Sequence, residues 1–153
     1  MEFIFRELQS NEKPPMELLL LADPSKDMIM SYLEKGICYV VVYRNDVIGV
    51  ALVVKKDLQR VEIVNIAIAE NYQQRGIGKK LLLYVIDEIE KENIKEIEIG
   101  TGNSSVGQLL LYQKCGFRIV GIDFDFFRNN YSEKIYENGI ECRDMIRLKK
   151  EIE

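Results

Sequence analysis

ENYQQRGIGKKLLLYVIDEI, residues 70–89, joins an apolar run ending at Ile68 to an amphipathic segment, and it places Gly76 and Gly78 where that segment begins. Ile77, Leu81, Val85 and Ile89 recur at spacing four, with Leu82 and Ile86 beside them. That pattern predicts a helix from about Gly76 to Glu92 with one broad apolar face. Glycine costs a helix roughly 1 kcal/mol relative to alanine, so two at its start imply a use for bare backbone. The first N–H groups of a helix have no internal acceptor, and the helix dipole leaves them partly positive. Glycines let an anion reach those groups without Cβ atoms in the way, and Arg75 and Lys79 add formal charge beside them. The segment reads as a cradle for a pyrophosphate. A Walker A loop would need Lys-Ser/Thr after the second glycine, where Lys79-Lys80 stands, and a dinucleotide fingerprint would need a third glycine. The remaining alternative is a turn whose glycines only bend the chain.

On the N-terminal side of this stretch, residues 37–70 read as three consecutive strands. They are rich in β-branched and aromatic residues, with short polar breaks at Arg44-Asn45-Asp46 and Lys55-Lys56-Asp57-Leu58, as an antiparallel meander requires. FIFREL predicts a first strand. MELLLLA after Pro14-Pro15 and SKDMIMSYLEK after Pro24 predict two helices, the second stopped by Gly36. On the C-terminal side, KEIEIG predicts a strand and SSVGQLLLYQKCGF a helix ending at Cys115-Gly116. FRIVGIDFDFF predicts a strand, and ECRDMIRLKKEI a final one after a polar loop carrying Asn129, Asn130, Asn138 and Gly139. The expected fold is a single α/β domain over residues 1–153, with a mixed, mostly antiparallel central sheet flanked by helices.

Composition narrows the chemistry. An apolar fraction of 47% with 30% charged residues is that of a soluble globular protein. No apolar run reaches the length of a membrane span, and the acidic N-terminus lacks a signal peptide's basic start, so a cytoplasmic protein is expected. Cys38, Cys115 and Cys142 are odd in number and unpatterned, which suits buried small hydrophobes better than disulfides or zinc. The chain contains no histidine. His-based nucleophile systems and His metal sites are thereby excluded, and no metal is expected. A net charge of −4 argues against nucleic acid as the main partner.

VEIVNIAIAENYQQRGIGKKLL resembles the signature of the GNAT N-acetyltransferases, whose Gln/Arg-x-x-Gly-x-Gly/Ala motif falls here on Gln73, Gly76 and Gly78. LLLYQKCGF, residues 109–117, resembles the family's later block, with a helix tyrosine followed by Gly-Phe. The resemblance implies the GNAT acyl-coenzyme A fold and acetyl-coenzyme A as co-substrate. It assigns the pyrophosphate to the loop Gln73, Gln74, Arg75, Gly76, Ile77 and Gly78, with Lys79 at the helix start. The pantetheine arm would pair like a strand with Ile66, Ala67 and Ile68, entering where that strand and KEIEIG splay apart. The family often has an asparagine seven residues before the tyrosine. Here that position is Ser105, with Asn103 two residues upstream, so both are candidates for the cofactor contact. Asn103 would equally serve as a helix N-cap.

Acetyl transfer to an amine poses three problems. An alkylamine with pKa about 10.4 must lose a proton before it attacks. Related enzymes often place a glutamate on the strand before the cradle, which nominates Glu62 as base; its alternative is a solvated strand residue. Negative charge growing on the thioester oxygen needs a donor, for which a backbone N–H at Ile68 or its neighbours is expected. The departing thiolate needs a proton, and Tyr112, the tyrosine of the Leu-Tyr…Gly-Phe block, is the expected general acid. Its alternative is a buried aromatic beside Leu109 and Leu110.

The acceptor pocket is expected from the N-terminal helices and the loop before the last strand. Asp123, Asp125, Glu133, Glu137 and Glu141 stand there against Arg128, Lys134 and Arg143, with Phe124, Phe126, Phe127, Tyr131 and Tyr136 among them. A cationic amine of a small molecule or peptide would suit that wall; an ordinary acidic surface is the alternative. The competing function is a non-catalytic acyl-coenzyme A sensor, which keeps the cradle but has no use for Tyr112. Monomer and homodimer are both compatible with the sequence.

Overall fold

The computed structural model describes residues 2–153, which fall in two compact units, 2–94 and 95–153. In the first unit β1 (Ile4–Glu7) is followed by α1 (Met16–Ala22), α2 (Lys26–Lys35), β2 (Ile37–Tyr43), β3 (Asp46–Lys55), β4 (Arg60–Ile68) and α3 (Ile77–Glu90). The four strands pair antiparallel in the order β1, β2, β3, β4. The β2–β3 turn uses Arg44 and Asn45, both left-handed, the geometry that matches the natural twist of a two-residue hairpin.

Successive strand residues face opposite sides, and the helices use both. Leu18, Leu19 and Ile29 of α1 and α2 form one cluster with Cys38, Val40, Val50 and Leu52. α3 covers the other face, where the Tyr84 ring meets Tyr39 at 5.9 Å and Phe5 at 5.7 Å. All six periodic residues of α3, Ile77, Leu81, Leu82, Val85, Ile86 and Ile89, are buried. Burial of each such side chain stabilises by about 1.5–3 kcal/mol, which anchors a helix whose first turn carries a glycine. Leu52 pairs with Asn65 and Val53 with Ile63, leaving Val64 as an extra residue in β4. Asn65, buried beside this bulge, donates its amide to the Leu19 carbonyl at 2.9 Å and so ties α1 to β4.

Before α1 the chain is held by a clasp. The Glu12 carboxylate accepts two bonds from the Arg6 guanidinium, at 2.6 and 2.9 Å, and one from the Gln9 N–H. The Arg6 bonds, then the Gln9 amide, lower its pKa to about 2. A carboxyl lowered by folding contributes stability that is present above its ordinary pKa and lost as pH falls through the folded value. Thermal melts are therefore expected to decline between about pH 4.5 and pH 2. Glu12→Gln should flatten that part of the profile; an unchanged slope would mean the clasp does not persist in solution.

In the second unit β5 (Glu96–Gly102) is followed by α4 (Val106–Lys114), β6 (Arg118–Asp123), α5 (Phe126–Asn130), β7 (Ile135–Glu137), β8 (Ile140–Cys142) and β9 (Met145–Glu151). β9 lies between β5 and β6, antiparallel to both. Two expectations are corrected. The strand expected over residues 117–127 stops at Asp123, because Asp125 turns left-handed and starts α5. The polar loop before the last strand contains the hairpin β7–β8, turning at Asn138-Gly139, both at positive φ. Asn-Gly between Ile-Tyr-Glu and Ile is a hairpin signal that the loop reading passed over. The mostly antiparallel sheet with flanking helices is thus present in each unit. Among the described residues no helix is long and apolar enough to cross a membrane.

Candidate active site

The end of β4 leads straight into the cradle. The Ala69 N–H bonds the Ile48 carbonyl at 2.8 Å, so its direction is toward β3. Backbone groups alternate along an antiparallel strand, which aims the N–H and carbonyl of Ile68 away from β3. The Gln73 side chain donates to that Ile68 carbonyl at 2.9 Å, folding the loop back onto the strand it left. Gln73 therefore shapes the loop through its side chain, a role the sequence reading did not give it. A single 3-10 turn, Glu70–Tyr72, sets Tyr72 against Tyr43, ring centroids 5.9 Å apart, and the Arg75 guanidinium lies over Tyr72.

Gln74 and Gly76 both take positive φ, 61° and 79°, and Gly76 caps α3 without any side-chain bond. The first intrahelical bond across this start is from Lys80 N–H to Gly76 carbonyl. The N–H groups of Ile77, Gly78 and Lys79 precede it and have no helical acceptor. A Cβ on Gly76 would meet nothing within 4 Å, and one on Gly78 only Ile68 Cγ1 at 3.7 Å. The glycines thus leave the helix start uncovered. Arg75, Lys79 and Lys80 make no ion pair among the described residues. Unpaired donors, a positive dipole end and uncompensated cations are the features a polyanion requires. The residues present fit the pyrophosphate of coenzyme A.

Glu62 lies elsewhere. It pairs with Val54 near the start of β4, and Lys56 Nζ stands 3.9 Å from its carboxylate. It lies six positions before Ile68, roughly 20 Å along a strand. Ile66, Ala67 and Ile68 form the end of β4 that leads into the glycine-rich loop, and Glu62 stands near the strand's other end.

In the second unit Tyr112 is buried on α4, its ring 6.2 Å from that of Phe117. Burial pushes its phenol well above the ordinary value of 10. At neutral pH it is a proton donor and not a base.

Asn103 and Ser105 have their side chains engaged within this unit. Asn103 Nδ2 donates to the Glu141 carbonyl at 3.1 Å, and its Oδ1 accepts from the N–H groups of Arg143 and Asp144 at 2.8 and 2.9 Å. The Ser105 hydroxyl donates to the Glu137 carboxylate at 3.0 Å, while Asn138 Nδ2 donates to the Ser104 carbonyl at 2.8 Å. Ser105, not Asn103, is the N-cap residue of α4, and it makes no side-chain cap bond. Asn103 is a clamp on the segment entering β9. Asn103→Ala is expected to lower stability by about 2–3 kcal/mol, since three bonds worth about 1 kcal/mol each, net of exchange with water, are lost. Amide exchange at Arg143 and Asp144 should accelerate with acetyl-coenzyme A affinity unchanged. An affinity loss without faster exchange would restore Asn103 to the cofactor.

The acidic wall is largely neutralised. Asp123 pairs with Arg147, Asp125 with Arg143, and Glu141 with Arg128 through two bonds of 2.7 and 2.8 Å. Glu137 is held by Ser105, which leaves Glu133 as the one of the five expected carboxylates without a partner among the described residues. Stacked rings of Phe127 and Tyr131, 5.7 Å apart, line a cavity of about 210 Å³ with Glu133, Lys134, Glu141 and Cys142. Among the described residues no cluster of His, Cys, Asp and Glu could hold a metal ion.

Comparison with known proteins places this geometry. The acetyltransferase (GNAT) family model matches residues 4–117. The chain is 56% identical over 132 residues to the uncharacterized N-acetyltransferase YvbK of Bacillus subtilis (strain 168), covering 86% of this chain and 85% of that protein. It is 48% identical to a GNAT family acetyltransferase from Elizabethkingia anophelis solved with acetyl-coenzyme A bound, with a TM-score of 0.96 over 98% of each chain. A Bacillus subtilis acetyltransferase solved with coenzyme A is 49% identical, with a TM-score of 0.92 over 99% of each chain.

Proposed function

The chain belongs to the GNAT acetyltransferase family, and we propose that it moves an acetyl group from acetyl-coenzyme A to a primary amine of a small molecule or peptide by direct attack, with Tyr112 as general acid. The start of α3 carries this reading: unpaired N–H groups at Ile77, Gly78 and Lys79, with Arg75 and Lys79 unneutralised, hold the pyrophosphate of the co-substrate. Ile66 to Ile68 align the pantetheine arm, and the Ile68 N–H, directed away from β3, donates to the thioester oxygen as it gains charge.

The neutral amine nitrogen attacks the carbonyl carbon. The carbon–sulfur bond breaks, the amide forms, and the sulfur takes its proton from the Tyr112 phenol. One proton leaves the amine nitrogen, and its return to Tyr112 closes the cycle. Water carries the first transfer, with Glu62 as the acceptor at the far end of that chain. The acceptor enters over Phe127 and Tyr131. With most of the wall's carboxylates paired, Glu133 is the residue through which a cationic acceptor would be preferred. Three cysteines without disulfides fit a reducing compartment, and we place the reaction in the cytoplasm.

Release of coenzyme A thiol from acetyl-coenzyme A, measured over a panel of mono-, di- and polyamines and peptide N-termini, tests this. Release that depends on one amine class is expected. Acetyl-coenzyme A binding with no release for any amine would overturn the assigned reaction.

A further inference from the structure

Among the described residues β6, in the second unit, is flanked by β9 on one side and by no strand on the other. Ile119, Val120 and Ile122 on it are 44%, 54% and 47% exposed, and Val106 and Leu110 on the adjoining α4 are 57% and 55% exposed. Native sheet edges are usually blunted by lysine, proline, a bulge or a covering element; β6 has a bulge at Val120 but neither lysine nor proline. β6 reads Arg-Ile-Val-Gly-Ile-Asp, apolar throughout except for one charge of each sign at its two ends.

We propose that β6 is a homodimer interface, pairing antiparallel with β6 of a second copy about a twofold axis between Val120 and Gly121. Charge selects this arrangement. In that register Arg118 of each copy faces Asp123 of the other and Ile119 faces Ile122, and the symmetry makes each contact twice. Parallel pairing would oppose Arg118 to Arg118 and Asp123 to Asp123. An antiparallel slip by two residues sets Asp123 against Val120 in one direction and Arg118 against Gly121 in the other, so a charge of each copy loses its complement.

The two charges are prepared for it. Arg118 makes no ion pair among the described residues. Asp123 is held in place by Arg147 at 2.6 Å, and a carboxylate has acceptor capacity for a second guanidinium. The β6–β9 register shifts between Ile119 and Gly121, so Val120 has no partner on β9. In the proposed dimer it sits at the axis opposite Gly121, where the missing side chain leaves room.

Sedimentation of the full chain from low micromolar to about 100 µM is expected to show a concentration-dependent dimer that weakens with added salt. Arg118→Asp opposes two carboxylates at each end, and Asp123→Arg opposes two guanidinium groups. Each variant alone should dimerise at least tenfold more weakly. Mixing the two restores both complementary contacts, so the mixture should dimerise like the wild type. That restoration also rules out misfolding as the cause of the single losses. A wild-type chain that stays monomeric, a dimer indifferent to both variants, or a mixture that fails to recover would each overturn the proposal.

Discussion

Tyr112→Phe is expected to lower kcat for amine acetylation by about 10²–10³, within the range that general acid–base groups supply, while acetyl-coenzyme A affinity stays within about twofold. The ring remains, so its packing against Phe117 is kept and only the hydroxyl is lost. The pH profile separates proton transfer from positioning. In the wild type, turnover should rise with pH as more amine is neutral. No downturn should appear below pH 10, because burial raises the Tyr112 pKa and the phenol stays protonated across that range. In the variant the thiolate must leave unprotonated. That becomes easier as pH passes the thiol's own pKa of about 8.5, so the defect should narrow above it. A defect of equal size at every pH would show that the hydroxyl orients the thioester and carries no proton. Full activity would remove Tyr112 from the chemistry.

Local patterning made most of the fold legible. The spacing-four apolar series from Ile77 to Ile89 defines α3, and the β-branched runs broken at Arg44-Asn45 and Lys55–Leu58 define the meander, since each buries a face whose period the residues state directly. The second unit was harder to read after Asp123. Phe126 and Phe127 have strand-like letters, yet the left-handed Asp125 redirects them into α5, and a backbone sign of that kind is set by tertiary contacts. The bond from Asp125 N–H to the Asp144 carboxylate, spanning 19 residues, is one of them.

At the candidate site, the uncapped glycine helix start was legible because it depends on backbone and on glycine, whose letters report conformation. Side-chain polar contacts were not. Asn103 and Ser105 stand where the family signature suggests a cofactor contact, but their partners are Glu141, Arg143, Asp144 and Glu137, more than 30 positions downstream. A hydrogen-bonding side chain in a sequence announces only that it will have partners. Glu62 differs: its strand was read correctly, and its place six positions before Ile68 can be counted in the sequence itself.

Gly78→Ala is expected to move stability and binding in opposite directions. Gly78 is the second residue of α3 with ordinary helical geometry, and alanine there should raise folding stability by up to about 0.5–1 kcal/mol. The added methyl would rest 3.7 Å from Ile68 Cγ1, an ordinary contact, so nothing in the fold must shift. If the pyrophosphate rests on the α3 start as proposed, the methyl narrows its approach to the N–H groups there. If each phosphate bond is lengthened or lost, acetyl-coenzyme A should bind about tenfold more weakly, a change of about 1.4 kcal/mol. Gly76 cannot separate the two effects, because its φ of 79° would strain any side chain and change the loop itself. Calorimetric affinity set against the thermal melt decides the matter. A variant that melts higher and binds less tightly identifies the helix start as the phosphate site. One that melts higher and binds equally well would mean that Gly78 is there only to shape the start of α3, and that the pyrophosphate is held elsewhere.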